Sequence, residues 1–343
     1  MKCKGRTAVL VGVIALVVMM LVVSGCGQQK TEQKPAAVKA FVPERPITMI
    51  VPTSAGGAGD LLSRTIEKVW SKYCPQPLVI INKAGSNGVE GSLFVAHAKP
   101  DGYTMTSGYG SGWDTVSPHM VAPVKYDGFK DLIPVARITM QPVYIVVPSN
   151  SPFKTMKEVV EWAKKENKPI TAAAGNAMTS QTIILLALGK AAGVEIVPVP
   201  HPGGGPAMTT LIGGNTVIGS GHSSEIAGPI KDKRIRAIAI ASTERDKILP
   251  DVPTLKEQGY NVAATGTMKG IALPPGTPKE IIDYYADLFK KICEDPEFIK
   301  TMGNMMQPVN YQGPADFAKT TRQEFDNYGK MAKEFGLEYK PKK

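Results

Sequence analysis

The chain has 343 residues, 43% of them hydrophobic and 20% charged, with 40 Lys and Arg against 30 Asp and Glu. That is an ordinary globular composition, which excludes collagen-like, low-complexity and disulfide-dense classes. The formal charge of +10 forms no basic stripe or module signature, so no nucleic acid is expected as a partner; handling small anions, or residence near an anionic membrane, fits the charge better.

The N-terminus reads in three parts. Lys2, Lys4 and Arg6 make a positive start, Ala8 to Val23 run apolar without a charge, and Ser24 and Gly25 lead to Cys26. A charged start, an apolar middle and a small-residue exit are the layout of a secretory signal. The apolar run is short of the roughly twenty residues that cross a bilayer comfortably. Val23-Ser24-Gly25-Cys26 resembles the lipobox of bacterial lipoproteins, which implies a lipid on Cys26 and residues 1–26 removed or held at the membrane. The other reading, an uncleaved anchor helix with an incidental cysteine, also places the remainder outside the cytoplasm. Residues 27–44 are Gln-, Lys-, Pro- and Ala-rich, and they are expected to form a flexible tether.

The body alternates strands and helices. Ile47 to Val51 predicts a strand ending in the Gly-rich turn 52–59, and Leu61, Leu62, Ile66, Val69 and Trp70 recur at helical spacing. Leu78 to Ile81 and Tyr103 to Thr106 predict two more strands, with a helix over 89–97 between them. Val135 to Val147 is a β-rich stretch long enough to leave one sheet and enter another. Strands follow at 170–174, 194–199, 216–218 and 235–241, and helices at 153–165, 181–192, 207–212 and 225–230. A second crossing near Ala264 to Ile271 returns the chain to the first lobe, where helices over 278–293 and 314–335 close it. The expected fold is α/β and two-lobed, of the type II flytrap kind found in periplasmic binding proteins, with parallel-rich sheets and a two-stranded hinge. Lobe 1 would comprise 45–140 and 268–343, and lobe 2 would comprise 141–267.

In open parallel sheets, ligands bind beyond the carboxyl ends of strands, where loops feed helix N-termini whose free N–H groups favour anions. Two loops fit, Thr53 to Asp60 and Gly175 to Ser180, with hydroxyls from Thr53, Ser54, Thr179 and Ser180.

Several stretches carry a family resemblance. Ile50-Val51-Pro52-Thr53-Ser54-Ala55-Gly56-Gly57-Ala58-Gly59-Asp60 resembles the first-loop motif of substrate-binding proteins of tripartite tricarboxylate transporters, the Bug or TctC family. Similar in order are Asn82-Lys83-Ala84-Gly85-Ser86-Asn87-Gly88, Lys99-Pro100-Asp101-Gly102-Tyr103, Gly203-Gly204-Gly205-Pro206, Leu249-Pro250-Asp251-Val252-Pro253 and Pro275-Gly276-Thr277-Pro278. The resemblance implies a solute-binding protein that captures a small carboxylate and delivers it to a membrane permease of two subunit types, without catalysis or cofactor, as a monomer. By the same resemblance one ligand carboxylate is held by Thr53, Ser54, Ala55, Gly56 and Gly57, and by Asn176, Thr179 and Ser180. Ser86, Asn87 and Gly204, in the other matching loops, are candidate contacts. Asp60 matches the family's acidic position; helix capping is an equal reading. The chain departs from the family at His201-Pro202, for an aromatic-Lys pair, at Val217, for an acidic residue, and at Met268-Lys269, for an aromatic, so the pocket walls differ.

His201 and His222 lie just beyond strands and are candidate carboxylate donors, with a surface or core-edge role as the alternative. Tyr109 and Trp113 either roof the ligand or pack their own loop. Lys269 either meets a second carboxylate or is solvated. No His/Cys cluster suggests a metal, and pairing between Cys74 and Cys293 is left open. No nucleophile elbow, zinc-protease motif, phosphate loop or dinucleotide motif occurs. Two rival functions share the scaffold: presentation of a ligand to a membrane kinase, and extracytoplasmic hydrolysis.

Overall fold

A computed structural model describes residues 41–120, 125–175, 177, 179–262 and 266–340. The expected signal segment, Cys26 and most of the tether lie outside those residues. Phe41, read from sequence as tether, is instead packed among Tyr103, Tyr284 and Tyr285, because an aromatic ring has apolar area worth burying where its Gln and Lys neighbours have none.

The first half contains β1 (Ile47–Val51), α1 (Ala58–Trp70), β2 (Leu78–Asn82), α2 (Val89–Ala96) and β3 (Thr104–Tyr109). The single turns α3 (Gly112–Thr115) and α4 (Ser117–Met120) follow, then β4 (Ile133–Gln141). The second sheet is built from β5 (Val143–Pro148), α5 (Met156–Glu166), β6 (Ile170–Ala174), α6 (Ser180–Ala192) and β7 (Ile196–Pro200). It continues through α7 (Gly204–Ile212), β8 (Ile218–His222), α8 (Ser223–Lys231) and β9 (Ile235–Ala241). The chain then returns through β10 (Thr267–Leu273), α9 (Lys279–Glu294), α10 (Pro296–Asn304), β11 (Val309–Gln312) and α11 (Pro314–Glu334).

The six-stranded sheet has the order β11-β4-β10-β3-β1-β2 and the five-stranded sheet β7-β6-β8-β5-β9. Both are mixed. β1 pairs in parallel with β2 and β3, and β6 with β7 and β8, while β4, β5, β9, β10 and β11 pair antiparallel. The parallel strands carry the βα units, and the antiparallel ones are those next to the crossings. The chain crosses from β4 to β5 at Pro142, which has no N–H to extend a ladder, and crosses back ahead of β10, where Thr267 sits opposite Gln141.

Each sheet has its own core. In the first, Leu62, Ile66, Val69 and Trp70 put one face of α1 against a cluster with Met49, Met105, Tyr285 and Phe289. Cys74 and Cys293 are buried there as free thiols, and burial pushes Cys293 up to about 12. In the second, Ile183, Leu185 and Leu188 of α6 pack with Ile145, Val159 and Ile170. Each such side chain contributes about 1.5–3 kcal/mol on burial. α10 and β11, absent from the sequence reading, are held by local devices. Asp295 caps α10 by accepting the N–H groups of Glu297 and Phe298, and Thr139 Oγ1 donates to Pro308 O beside β11.

The sequence places all of 268–343 with the first lobe, but α11 belongs to both. Its Phe317 lies in a cluster with Tyr109 and Met268, whereas Tyr328, Met331 and Ala332 are buried in the core of the second sheet. Near the N-terminal end, the Phe317 ring covers Gly270 of β10, where a Cβ would overlap both that ring and the Ala136 carbonyl. Gly270→Ala should therefore lower stability by about 1–3 kcal/mol through overpacking, read as a reduced midpoint with unchanged slope in urea unfolding.

Candidate ligand-binding site

Five helices longer than a single turn begin at one cavity of about 290 Å³. α1 starts behind Gly57, α2 behind Gly88, α6 behind Thr179, α7 behind Gly203 and α8 behind His222, and each of those five capping residues lines it. Strand ends supply the rest, with Ser107 and Gly108 from β3 and Thr267 and Lys269 from β10.

The first loop is shaped by Asp60 rather than opened by it. Asp60 is buried, and its Oδ2 accepts the Gly56 N–H at 2.8 Å and Arg64 Nε at 3.0 Å, while Oδ1 accepts Asn82 Nδ2 at 3.0 Å. Burial pushes its carboxyl up, but those donors outweigh burial and hold it below the usual carboxylate range. Thr53, Ser54 and Gly57 line the cavity; Ala55 and Gly56 are exposed outside it, and Asp60 faces the loop backbone. Small residues are required here, since a Cβ on Gly57 would lie 3.2 Å from Ser54 O and one on Gly59 3.1 Å from Thr53 Oγ1.

In the second loop Ser86 and Asn87 both have positive φ, at 46° and 57°. Asn87 lines the cavity, while Ser86 faces a neighbouring one of about 380 Å³. Trp113 is a wall of both, held against Gly88, where a Cβ would come within 2.6 Å of the indole. Tyr109 does not reach the cavity. It ends β3 with its ring buried edge-to-face against Phe317 at 5.4 Å, so it packs the loop.

On the second sheet, one carboxylate ties three helix starts together. Gln181 Oε1 accepts the Gly175 N–H at 2.6 Å, Gln181 Nε2 donates to Glu225 Oε2 at 2.7 Å, and the same oxygen accepts the His222 N–H at 2.9 Å. Gly204 abuts the Glu225 side chain so closely that no Cβ fits. Thr179 and Gly204 line the cavity. Ser180 is buried and spends its hydroxyl on Thr267 Oγ1 at 2.5 Å, bridging the two sheets. Asn176 lies outside the described residues. His201 is not at the wall: Nδ1 meets Ala174 O at 3.2 Å and Nε2 meets Thr210 Oγ1 at 2.8 Å, leaving Pro202 and the glycines to line the cavity.

His222 does line it. Burial, with Lys269 adding to the effect, lowers its ring to about 4, so it is neutral at pH 7. Lys269, Gln181, Glu225 and Thr267 also line the cavity; of these, the sequence points only to Lys269. Lys269 is 6% exposed, its Nζ has no hydrogen-bond partner among the described residues, and burial lowers it to about 8 against the opposing influence of Glu225. Among the described residues, no group of His, Cys, Asp and Glu side chains could hold a metal ion.

Residues 62–337 match the profile of the family described as the tripartite tricarboxylate transporter family receptor. A UPF0065 protein of Bordetella bronchiseptica is 32% identical over 85% of this chain and 87% of its own length. The periplasmic binding protein BugD superposes with a TM-score of 0.79 at 28% identity, covering 87% of this chain and 100% of BugD. MatC of Rhodopseudomonas palustris, solved with bound malate, superposes at 0.77 with 26% identity, over 84% of this chain and 99% of its own.

The His222 ring is protonated near pH 6.5 in an unfolded chain but only near pH 4 in the folded one. Between those values the unfolded state holds the extra proton, so stability falls as pH drops from 6.5 to 4. Replacing His222 by Gln should remove this component, worth up to about 3 kcal/mol, and flatten the acid limb of a stability-against-pH curve.

Proposed function

The chain belongs to the tripartite tricarboxylate transporter receptor family, and on that footing we propose that its cleft captures a small carboxylate for a membrane permease of two subunit types. The convergence of five helix N-termini on one cavity supports this most directly. Free backbone N–H groups and the positive ends of helix dipoles favour an anion. A volume of about 290 Å³ suits a small organic ion, at the lower end of ligand pockets, which run from about 300 to 1,000 Å³.

The candidate contacts in this reading are Thr53, Ser54 and Gly57 from the first sheet and Thr179, Gly204 and His222 from the second. The anion seats between the lobes and draws them together. Release to the permease needs no bond to break. The receptor works outside the cytoplasm as a monomer, and a lipid on Cys26 holds it near the permease, raising its effective concentration there.

Two measurements test this. Mature protein titrated with a panel of mono-, di- and tricarboxylates should gain about 2.7 kcal/mol of unfolding free energy at a hundredfold excess of a true ligand over its dissociation constant. A panel that gives neither a thermal shift nor binding heat overturns the carboxylate reading. Separately, Cys26→Ser should move the exported protein from the membrane fraction to the soluble one; a variant that stays membrane-bound overturns the lipid anchor.

A further inference from the structure

Lys269 raises a question that helix ends alone do not answer. The cavity already has backbone N–H donors from five helices at its wall, yet it also contains a buried ammonium. Among the described lining residues it is the one basic Lys or Arg side chain. The two kinds of donor sit at different depths. Ser54 is exposed, and Thr53, Gly57, Thr179 and Gly203 are half-buried, whereas Lys269, Thr267 and His222 are only 6%, 7% and 7% exposed. The starts of α1, α6 and α7 therefore form the more open part of the cavity, whereas Lys269 lies in its more buried part, as does the α8 start at His222.

Nothing in the described protein neutralises that cation by contact. Its Nζ lacks a hydrogen-bond partner. Glu225 is the acid that acts on it through space, but Glu225 Oε2 already accepts from Gln181 and from the His222 N–H. His222, the other titratable group facing it, is neutral. A desolvated cation without a hydrogen-bonded anion is costly, and the cost is offset when an anion enters its cavity. A ligand whose one carboxylate sits at the starts of α1, α6 and α7 leaves this ammonium as it was. One with a second anionic group at its far end satisfies both.

We propose that Lys269 is the specificity-determining residue for a second carboxylate, so that the cleft selects dicarboxylates over monocarboxylates of the same chain length. Trp113, which also lines the cavity, has a buried Nε1 without a partner among the described residues. The inference rests on the carboxylate reading of the cleft and names the class within it.

The test compares succinate with butyrate, and adipate with hexanoate, by calorimetry on the mature protein and on Lys269→Met. Wild type should bind the better-fitting dicarboxylate roughly ten- to a hundredfold tighter than its monocarboxylate counterpart, the usual worth of a hydrogen bond to a charged group. Lys269→Met should erase that ratio and leave the monocarboxylate within a few fold. If wild type binds both members of each pair equally, or if the variant keeps the ratio, the Lys269 assignment fails while the carboxylate reading stands. If wild type binds none of the four and no member of the wider carboxylate panel, both fail. A measurement on wild type alone guards against a variant that does not fold. At pH 8.5, in buffers of different ionisation enthalpy, dicarboxylate binding should take up protons because an anion beside Lys269 raises its pKa. Monocarboxylate binding should not. Absence of that uptake overturns the proposal.

Discussion

A cavity walled by helix N-termini holds its shape only if something negative holds the loops that lead into those helices. Each sheet of this protein commits one carboxylate to that task. Asp60 accepts from Gly56, Arg64 and Asn82 and closes the β1–α1 loop on itself. Glu225 accepts from Gln181 and the His222 backbone, and through Gln181 it also fixes the Gly175 N–H. Asp60 is turned away from the cavity, and Glu225, which lines it, has its Oε2 occupied by Gln181 and the His222 N–H. Both take up N–H groups of the loops and so hold the backbone that leads into the helices. Fixed donors are worth more than mobile ones, because the ordering cost is met during folding rather than at binding.

Glycine is the second half of that arrangement. Gly57 and Gly59 let the first loop fold close to Thr53 and Ser54, and Gly204 leaves room for the Glu225 side chain. Gly88 lets the Trp113 ring lie flat on the backbone, which sets one wall of the cavity in place. The result is a site built largely on backbone, in which Lys269, His222 and Trp113 are lining side chains with a buried polar atom that has no partner among the described residues.

This division explains what was legible in the sequence. Loops such as Thr53–Gly57 could be found because strand, glycine-rich turn and helix occur in order, and backbone donors need no particular side chain. Residues placed by packing were harder. Tyr109 was a candidate contact because it sits in a Gly-rich loop, but β3 runs on to Tyr109 itself, and the Phe317 ring from 208 residues further along takes it into the core. His201 follows a strand as His222 does, yet its ring is captured by Ala174 and Thr210. For Lys269 the sequence leaves open a contact with a second carboxylate or a solvated side chain; that β10 lies between β3 and β4 with all seven residues buried follows from strand order, which local pattern does not contain.

The C-terminal helix adds a mechanical element. Because Phe317 is fastened in one core and Tyr328, Met331 and Ala332 in the other, α11 is a strut riveted at both ends beside the strand crossings. Any rotation of one lobe on the other would have to strain or slide this strut as well as bend the crossings. The residues between the rivets, such as Thr321 and Glu324, are buried and line no part of the helix-end cavity, so a change in their volume would alter the strain of such a rotation without altering the cavity wall.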